Sequence, residues 1–118
     1  MFQEDLQKIV DGVEGGIAGL IMGFDWIPLE AYARAESPAD INTVGMELSV
    51  VLNQVRKTVD ILDLGLLHEL CIKAEQLTLV IRCLSENYFL ALALTPDGDF
   101  GKGRYLMRLA APKLQAEL

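Results

Sequence analysis

Two stretches of ten residues, 15–24 and 87–96, carry no charged side chain. A helix that crosses a bilayer needs about 20 apolar residues, so neither stretch spans a membrane, whereas both suit a strand. Read with period two, residues 17–24 place Ile17, Gly19, Ile21 and Gly23 on one face and Ala18, Leu20, Met22 and Phe24 on the other. Residues 88–95 place Leu90, Leu92 and Leu94 against Phe89, Ala91 and Ala93. A strand without a polar face must be covered on both sides. The chain is therefore expected to build a sheet with layers above and below it, and these two strands belong at its centre.

The other strand candidates carry the opposite mark. Residues 27–34 alternate Ile27, Leu29, Ala31 and Ala33 with Pro28, Glu30, Tyr32 and Arg34. Proline and charge on one face identify an edge strand. Residues 66–74 set Leu66, His68, Leu70 and Ile72 against Leu67, Glu69, Cys71 and Lys73, which marks a second edge. Residues 77–84 carry one internal charge, Arg82, and fit between the second edge and strand 88–95 by hairpin adjacency. The turns fall at Glu75-Gln76 and Glu86-Asn87.

Helical periodicity fills the gaps. Phe2, Leu6, Ile9, Val10 and Val13 share one helix face, and Gly12 and Gly15-Gly16 stop that helix. Asp40 is suited to cap a long helix over 41–62, after a polar loop at 35–40 and before Asp63-Leu64-Gly65. Residues 96–99 form a turn signal, and a last helix over 100–117 gathers Tyr105, Leu106, Leu109 and Ala110 on one side. The expected order is α-β-β-α-β-β-β-α. It implies one domain over 1–118, of the α/β (α+β) class: a profilin-like sandwich with a five-stranded antiparallel sheet of order 2-1-5-4-3 and helices on both faces.

Composition narrows the function. A net charge of −7 disfavours nucleic acid and an anionic membrane surface. The acidic N-terminus lacks the basic and apolar regions of a signal peptide. Cys71 and Cys83 match no zinc spacing, and the single histidine, His68, cannot complete a metal set. They read as reduced thiols of a cytoplasmic protein, and no metal or cofactor is expected. Gly12 and Gly15-Gly16 precede a strand, so they do not cradle a phosphate. Gly98, Gly101 and Gly103 lie beside Asp97 and Asp99, which repel one. His68 reads as a packed strand residue, no arginine is singled out as a catalytic finger, and the chain is not expected to be an enzyme.

The long helix is the most informative element. At 100° per residue, Val44, Leu48, Val51, Leu52, Val55, Val59 and Leu62 form the stripe expected to face the sheet. A second stripe lies across the helix: Met46, Val50 and Ile61, interspersed with Asn53, Gln54 and Lys57. Gly45 and Ser49 form a small pair between the stripes. A second stripe points to another protein surface. The unpaired edge that bears Glu69, Cys71 and Lys73 is a further adhesive site, and Trp26, at a hairpin tip, is a third candidate because aromatic residues concentrate in binding hot spots.

Three stretches carry a resemblance to a known family. They are residues 13–21 leading to Phe24-Asp25-Trp26-Ile27-Pro28, the hairpin 70–83, and residues 88–94 followed by Phe100-Gly101-Lys102-Gly103-Arg104. Together with the element order they resemble the roadblock/dynein light-chain family, in particular its bacterial MglB-like members. The resemblance implies a homodimer with the long helices side by side and the third strands joined into one sheet, with Gly45, Gln54, Glu69, Cys71 and Lys73 at that interface. It further implies a regulator of a small Ras-like GTPase, which activates or merely binds it near Met46, Ser49, Val50, Asn53, Lys57, Ile61 and Trp26. The alternative is a non-catalytic scaffold or light-chain-like subunit of a larger assembly. Two departures stand out. Trp26 occupies a turn position where the family commonly has glycine, so it takes either a different turn or a strained φ. Pro112 falls inside the last helix, which it is expected to kink or end.

Overall fold

The computed structural model describes residues 2–34 and 37–118. Its elements are α1 (Phe2–Asp11), β1 (Gly16–Gly23), β2 (Pro28–Ala33), α2 (Ile41–Ile61), β3 (Glu69–Lys73), β4 (Thr78–Cys83), β5 (Tyr88–Leu94) and α3 (Phe100–Glu117). All five strands join one sheet of order β2-β1-β5-β4-β3, and every neighbouring pair is antiparallel. The expected topology holds, with β2 and β3 at the edges. Of the expected polar loop at 35–40, residues 35 and 36 lie outside the described residues.

The uncharged strands explain the layering. Every residue of β1 is buried, and so is β5 after Tyr88. Ile21, Leu90, Leu92 and Leu94 join Leu6, Val10, Met107 and Leu114 in the core under α1 and α3. Leu20, Met22, Phe89, Ala91 and Ala93 join Leu48 and Leu52 in the core under α2. Each fully buried large side chain stabilises the fold by about 1.5–3 kcal/mol relative to exposure. Alternation across the two central strands therefore supplies both cores at once.

Both long helices approach the sheet at small residues. A Cβ on Gly45 would stand 2.2 Å from Leu20 Cδ2, and one on Gly103 would stand 3.0 Å from Leu92 Cδ2. This close approach turns the buried face of α2 away from the expected stripe. Ile41, Val44, Gly45, Leu48, Ser49 and Leu52 are buried, Val55 and Val59 are half-buried, and Val51 and Leu62 are exposed. In α3 the inward residues are Gly103, Met107, Ala111 and Leu114. Leu106 and Ala110 are half-buried, and Tyr105 and Leu109 are exposed.

The helix ends follow local chemistry. Asp40 accepts from the N–H groups of Asn42 and Thr43, both at 3.1 Å. Beyond the C-terminus of α2, Asp63 takes φ 56°, and Leu64 N donates to Val59 O at 3.0 Å, the pattern of a left-handed C-terminal cap. Pro112 does not end α3, which continues to Glu117. The segment beyond the proline is held from outside the helix. Leu114 is fully buried, Lys113 Nζ donates to Asp5 Oδ1 at 3.0 Å, and Gln115 Nε2 donates to Leu84 O at 2.6 Å. These anchors offset the backbone hydrogen bond that proline cannot make.

Candidate functional site

The outward face of α2 carries an uncovered apolar region. Met46, Val50 and Ile61 are exposed, Ile61 at 82%, and the apolar surface runs on through Leu62, Leu64 and Leu66 in the linker to β3. Gln54 and Lys57 are exposed among them, and Asn53 is half-buried. An uncovered patch of this kind marks an interaction surface. Gly45 and Ser49 are not part of it. Gly45 is pressed onto β1, while Ser49 is fully buried and its hydroxyl donates to Met46 O at 2.6 Å. Their small size allows the helix to approach the sheet, which corrects the expectation that they line a docking surface.

The C-terminal half of α2 is tied to one end of the sheet through an aromatic pair. Phe24 follows β1 and meets the fully buried Phe89, with ring centroids 5.2 Å apart. Arg56 stacks over Phe24 at 4.1 Å, and its Nη2 donates to Glu86 O at 3.1 Å. Arg56 is thus committed to positioning α2. Of the two basic residues on this helix, only Lys57 stands among the outward residues.

The β1–β2 turn keeps a strained residue at its tip. Trp26 N donates to Gly23 O at 3.0 Å, Gly23 N donates to Ile27 O at 2.9 Å, and Trp26 takes φ 74°. This is the left-handed position that glycine occupies in three-residue hairpin loops. Trp26 therefore accepts the strain. It is not folded over its own sheet: Trp26, Ile27 and Leu29 are all exposed. Of the apolar face expected of β2, only Ala31 is half-buried and Ala33 is exposed; the pairing shifts between Ile21 and Met22 and leaves Leu29 beside the bulge. Trp26→Gly is expected to raise stability by about 0.5–1 kcal/mol, since it removes a left-handed strain of about 1–2 kcal/mol at some cost in unfolded-chain freedom. Urea denaturation checks this; a loss of stability would show that the indole is held by contacts that outweigh the strain.

The β3 edge combines charge with a thiol. Arg104 on α3 donates through Nε and Nη2 to the two carboxylate oxygens of Glu69, the second at 3.0 Å. This hydrogen bond holds the Glu69 carboxyl below the usual carboxylate range. Lys73 Nζ lies 4.8 Å from the Phe100 ring centroid. Cys71 is exposed; partial burial and the neighbouring Glu69 charge push its thiol up. Burial pushes the Cys83 thiol up as well. A raised thiol pKa is the reverse of nucleophile activation.

One hollow, about 560 Å³, lies beside the start of α2 and is lined by Ala18, Ala33, Arg34, Ser37, Ala39, Asp40 and Ile41. Its two charged groups are engaged, Asp40 as the helix cap and Arg34 with Asp11 at 4.0 Å. His68, exposed, shares an open cleft with Arg56 and Cys83. Among the described residues, no group of three metal-ligating side chains comes together, and no helix is long and apolar enough to cross a membrane.

Several solved structures share this arrangement. MglC from Myxococcus xanthus is 40% identical; the match covers 98% of this chain and 97% of that one, with a TM-score of 0.70. An MglB structure described as having a tetrameric arrangement matches with a TM-score of 0.85 at 17% identity, over 96% of this chain and 84% of the other. The roadblock/LC7 domain from Streptomyces avermitilis matches with a TM-score of 0.86 at 12% identity, over 98% and 95% of the two chains. At such low identities the last two show the fold alone. No family model matches the sequence. No curated protein matches it either.

Proposed function

The chain belongs to the roadblock/LC7 family, as a relative of MglC, and from that membership we propose that it works as a homodimer that binds and regulates a small Ras-like GTPase, with no active site of its own. One observation carries this reading. The outer face of α2 exposes Met46, Val50 and Ile61, and the exposure continues into the linker to β3. A helix already packed on its sheet does not need a second apolar face. The proposed partner surface comprises Met46, Val50, Asn53, Lys57 and Ile61 with Trp26. The proposed dimer contacts are Gln54 on α2 and Glu69, Cys71 and Lys73 on β3.

The mode of regulation follows from the cations. Arg56 is committed to Phe24 and Glu86, and Arg104 to Glu69. Neither of these two arginines is therefore free to reach a partner's nucleotide. Regulation acts by selecting one arrangement of the GTPase switch loops, a bias on an existing equilibrium. The test is GTP hydrolysis and nucleotide exchange by Ras-like GTPases of the source organism, with and without this protein. A changed rate supports the proposal; unchanged hydrolysis, exchange and binding would overturn it. The commitment of these arginines also favours a second reading, a dimeric scaffold that holds a larger assembly and leaves nucleotide chemistry alone. Binding without any change in rate would select it.

A further inference from the structure

α3 is the basic element of an acidic chain. It carries Lys102, Arg104, Arg108 and Lys113 against the single acid Glu117, in a chain with 10 basic and 17 acidic residues. Neither α1 nor α2 has such a surplus. Two of the four cations are used within the fold: Arg104 pairs with Glu69, and Lys113 pairs with Asp5. Among the described residues, Lys102 and Arg108 form no salt bridge, and neither does Lys8 on α1. All three are exposed. The Arg108 guanidinium lies 5.8 Å from the Tyr105 ring centroid.

Apolar surface lies between these cations. Tyr105 and Leu109 stand one turn apart on α3 and are 49% and 57% exposed. Beside them a hollow of about 200 Å³ opens between α1 and α3, lined by Asp5, Lys8, Ile9, Leu106, Leu109 and Ala110. The helices meet on either side of it. A Cβ on Gly12 would stand 3.1 Å from Leu106 Cδ1, and Lys113 reaches Asp5 at the other end. Lys8 thus stands on one wall of the hollow. Lys102 stands one turn before Leu106 on the same side of α3. Asp5, the acid within the hollow, is buried and already answered by Lys113. Glu4 and Asp11 lie with Gln7 on the other side of Lys8. A negatively charged occupant is therefore drawn along α3 and repelled from the outer side of α1. That acidic flank also works against a phosphate backbone or a lipid surface, both of which favour an extended basic face.

We propose that this face binds an acidic segment of a partner protein, which seats an apolar side chain in the hollow between α1 and α3 and sets carboxylates against Lys8, Lys102 and Arg108. Charge complementarity of this kind selects the partner and its orientation. The surface lies across the sheet from α2, so it neither competes with the docking proposed there nor depends on it. The probe is a synthetic helical peptide of about four turns with leucines at i, i+4 and i+7 and glutamates around them. Amide chemical shifts of the full chain are followed as the peptide is added. The expected result is a saturable response centred on Lys8, Ile9, Lys102, Tyr105, Leu106 and Leu109, with no response to the same peptide carrying lysine in place of glutamate. Lys8→Glu combined with Lys102→Glu is expected to weaken binding about tenfold or more. Lys8→Gln with Lys102→Gln adds no new charge and should give a smaller loss in the same direction; thermal melting confirms that the variants fold. No binding, equal binding of the lysine peptide, a response centred on α2, or unimpaired variants would each overturn the proposal. Vesicles of phosphatidylglycerol that displace the peptide, with the same loss in the variants, would assign the face to a membrane and overturn it as well.

Discussion

Phe89→Ala is expected to destabilise the fold by about 3–5 kcal/mol, the range for deleting a buried phenylalanine ring. Phe89 is entirely buried at the second residue of a central strand. Its pairing partners Met22 on β1 and Cys83 on β4 fix the backbone around the vacated space, which limits relaxation into it. The domain's total stability is on the order of 5–15 kcal/mol, so this single change removes a large share. It also takes away the ring on which Phe24 rests, and Phe24 supports Arg56. The C-terminal half of α2 should loosen with it. Urea denaturation gives the loss, and hydrogen exchange along α2 reports the loosening. A loss under about 1 kcal/mol would mean that the site collapses freely, and the aromatic pair would not be the anchor described.

Val50→Asp is expected to act in the opposite way, with little effect on the monomer and a large one on association. Val50 is 55% exposed, on the side of α2 away from the sheet. Surface changes of this kind alter stability by about 0.5 kcal/mol or less. At the centre of an apolar interface, a buried unpaired carboxylate carries a hot-spot penalty of about 2 kcal/mol or more, roughly a 30-fold loss of affinity. The expected result is an unchanged melting temperature with weakened self-association or weakened GTPase binding. If neither association changes, the outer face of α2 is not the docking surface; if the protein melts early, Val50 is not free of the monomer core.

The sheet was legible in the sequence because its signals are local. Pro28, Glu30 and Arg34 mark β2 as an edge, Glu69 and Lys73 mark β3, and the uncharged runs mark β1 and β5. The roles of Gly45 and Ser49 were not legible. Hydrophobic periodicity weighs what a side chain contributes to burial, and a residue chosen because it has almost no side chain leaves no such mark. Periodicity therefore points the buried face of α2 toward its bulky residues, Val51 and Leu62, which the structure exposes. The same cause operates in α3, where Gly103 makes the close approach and Tyr105 and Leu109 face outward. Trp26 shows a different limit. The sequence announced either a changed turn or a strained one, and only the backbone torsion of 74° decided it. Pro112 was expected to kink or end α3, yet anchors from α1 and the end of β4 carry the helix past it. Those anchors lie far away in sequence.

Two copies of this chain and one kind of partner make up the proposed complex, and one measurement addresses both. Light scattering should be recorded on a mixture of this protein with a Ras-like GTPase of the same organism, loaded with a non-hydrolysable GTP analogue. The expected result is a complex whose mass contains two chains of 13.0 kDa together with the GTPase. Separate species, a single 13.0 kDa chain and free GTPase, would contradict it.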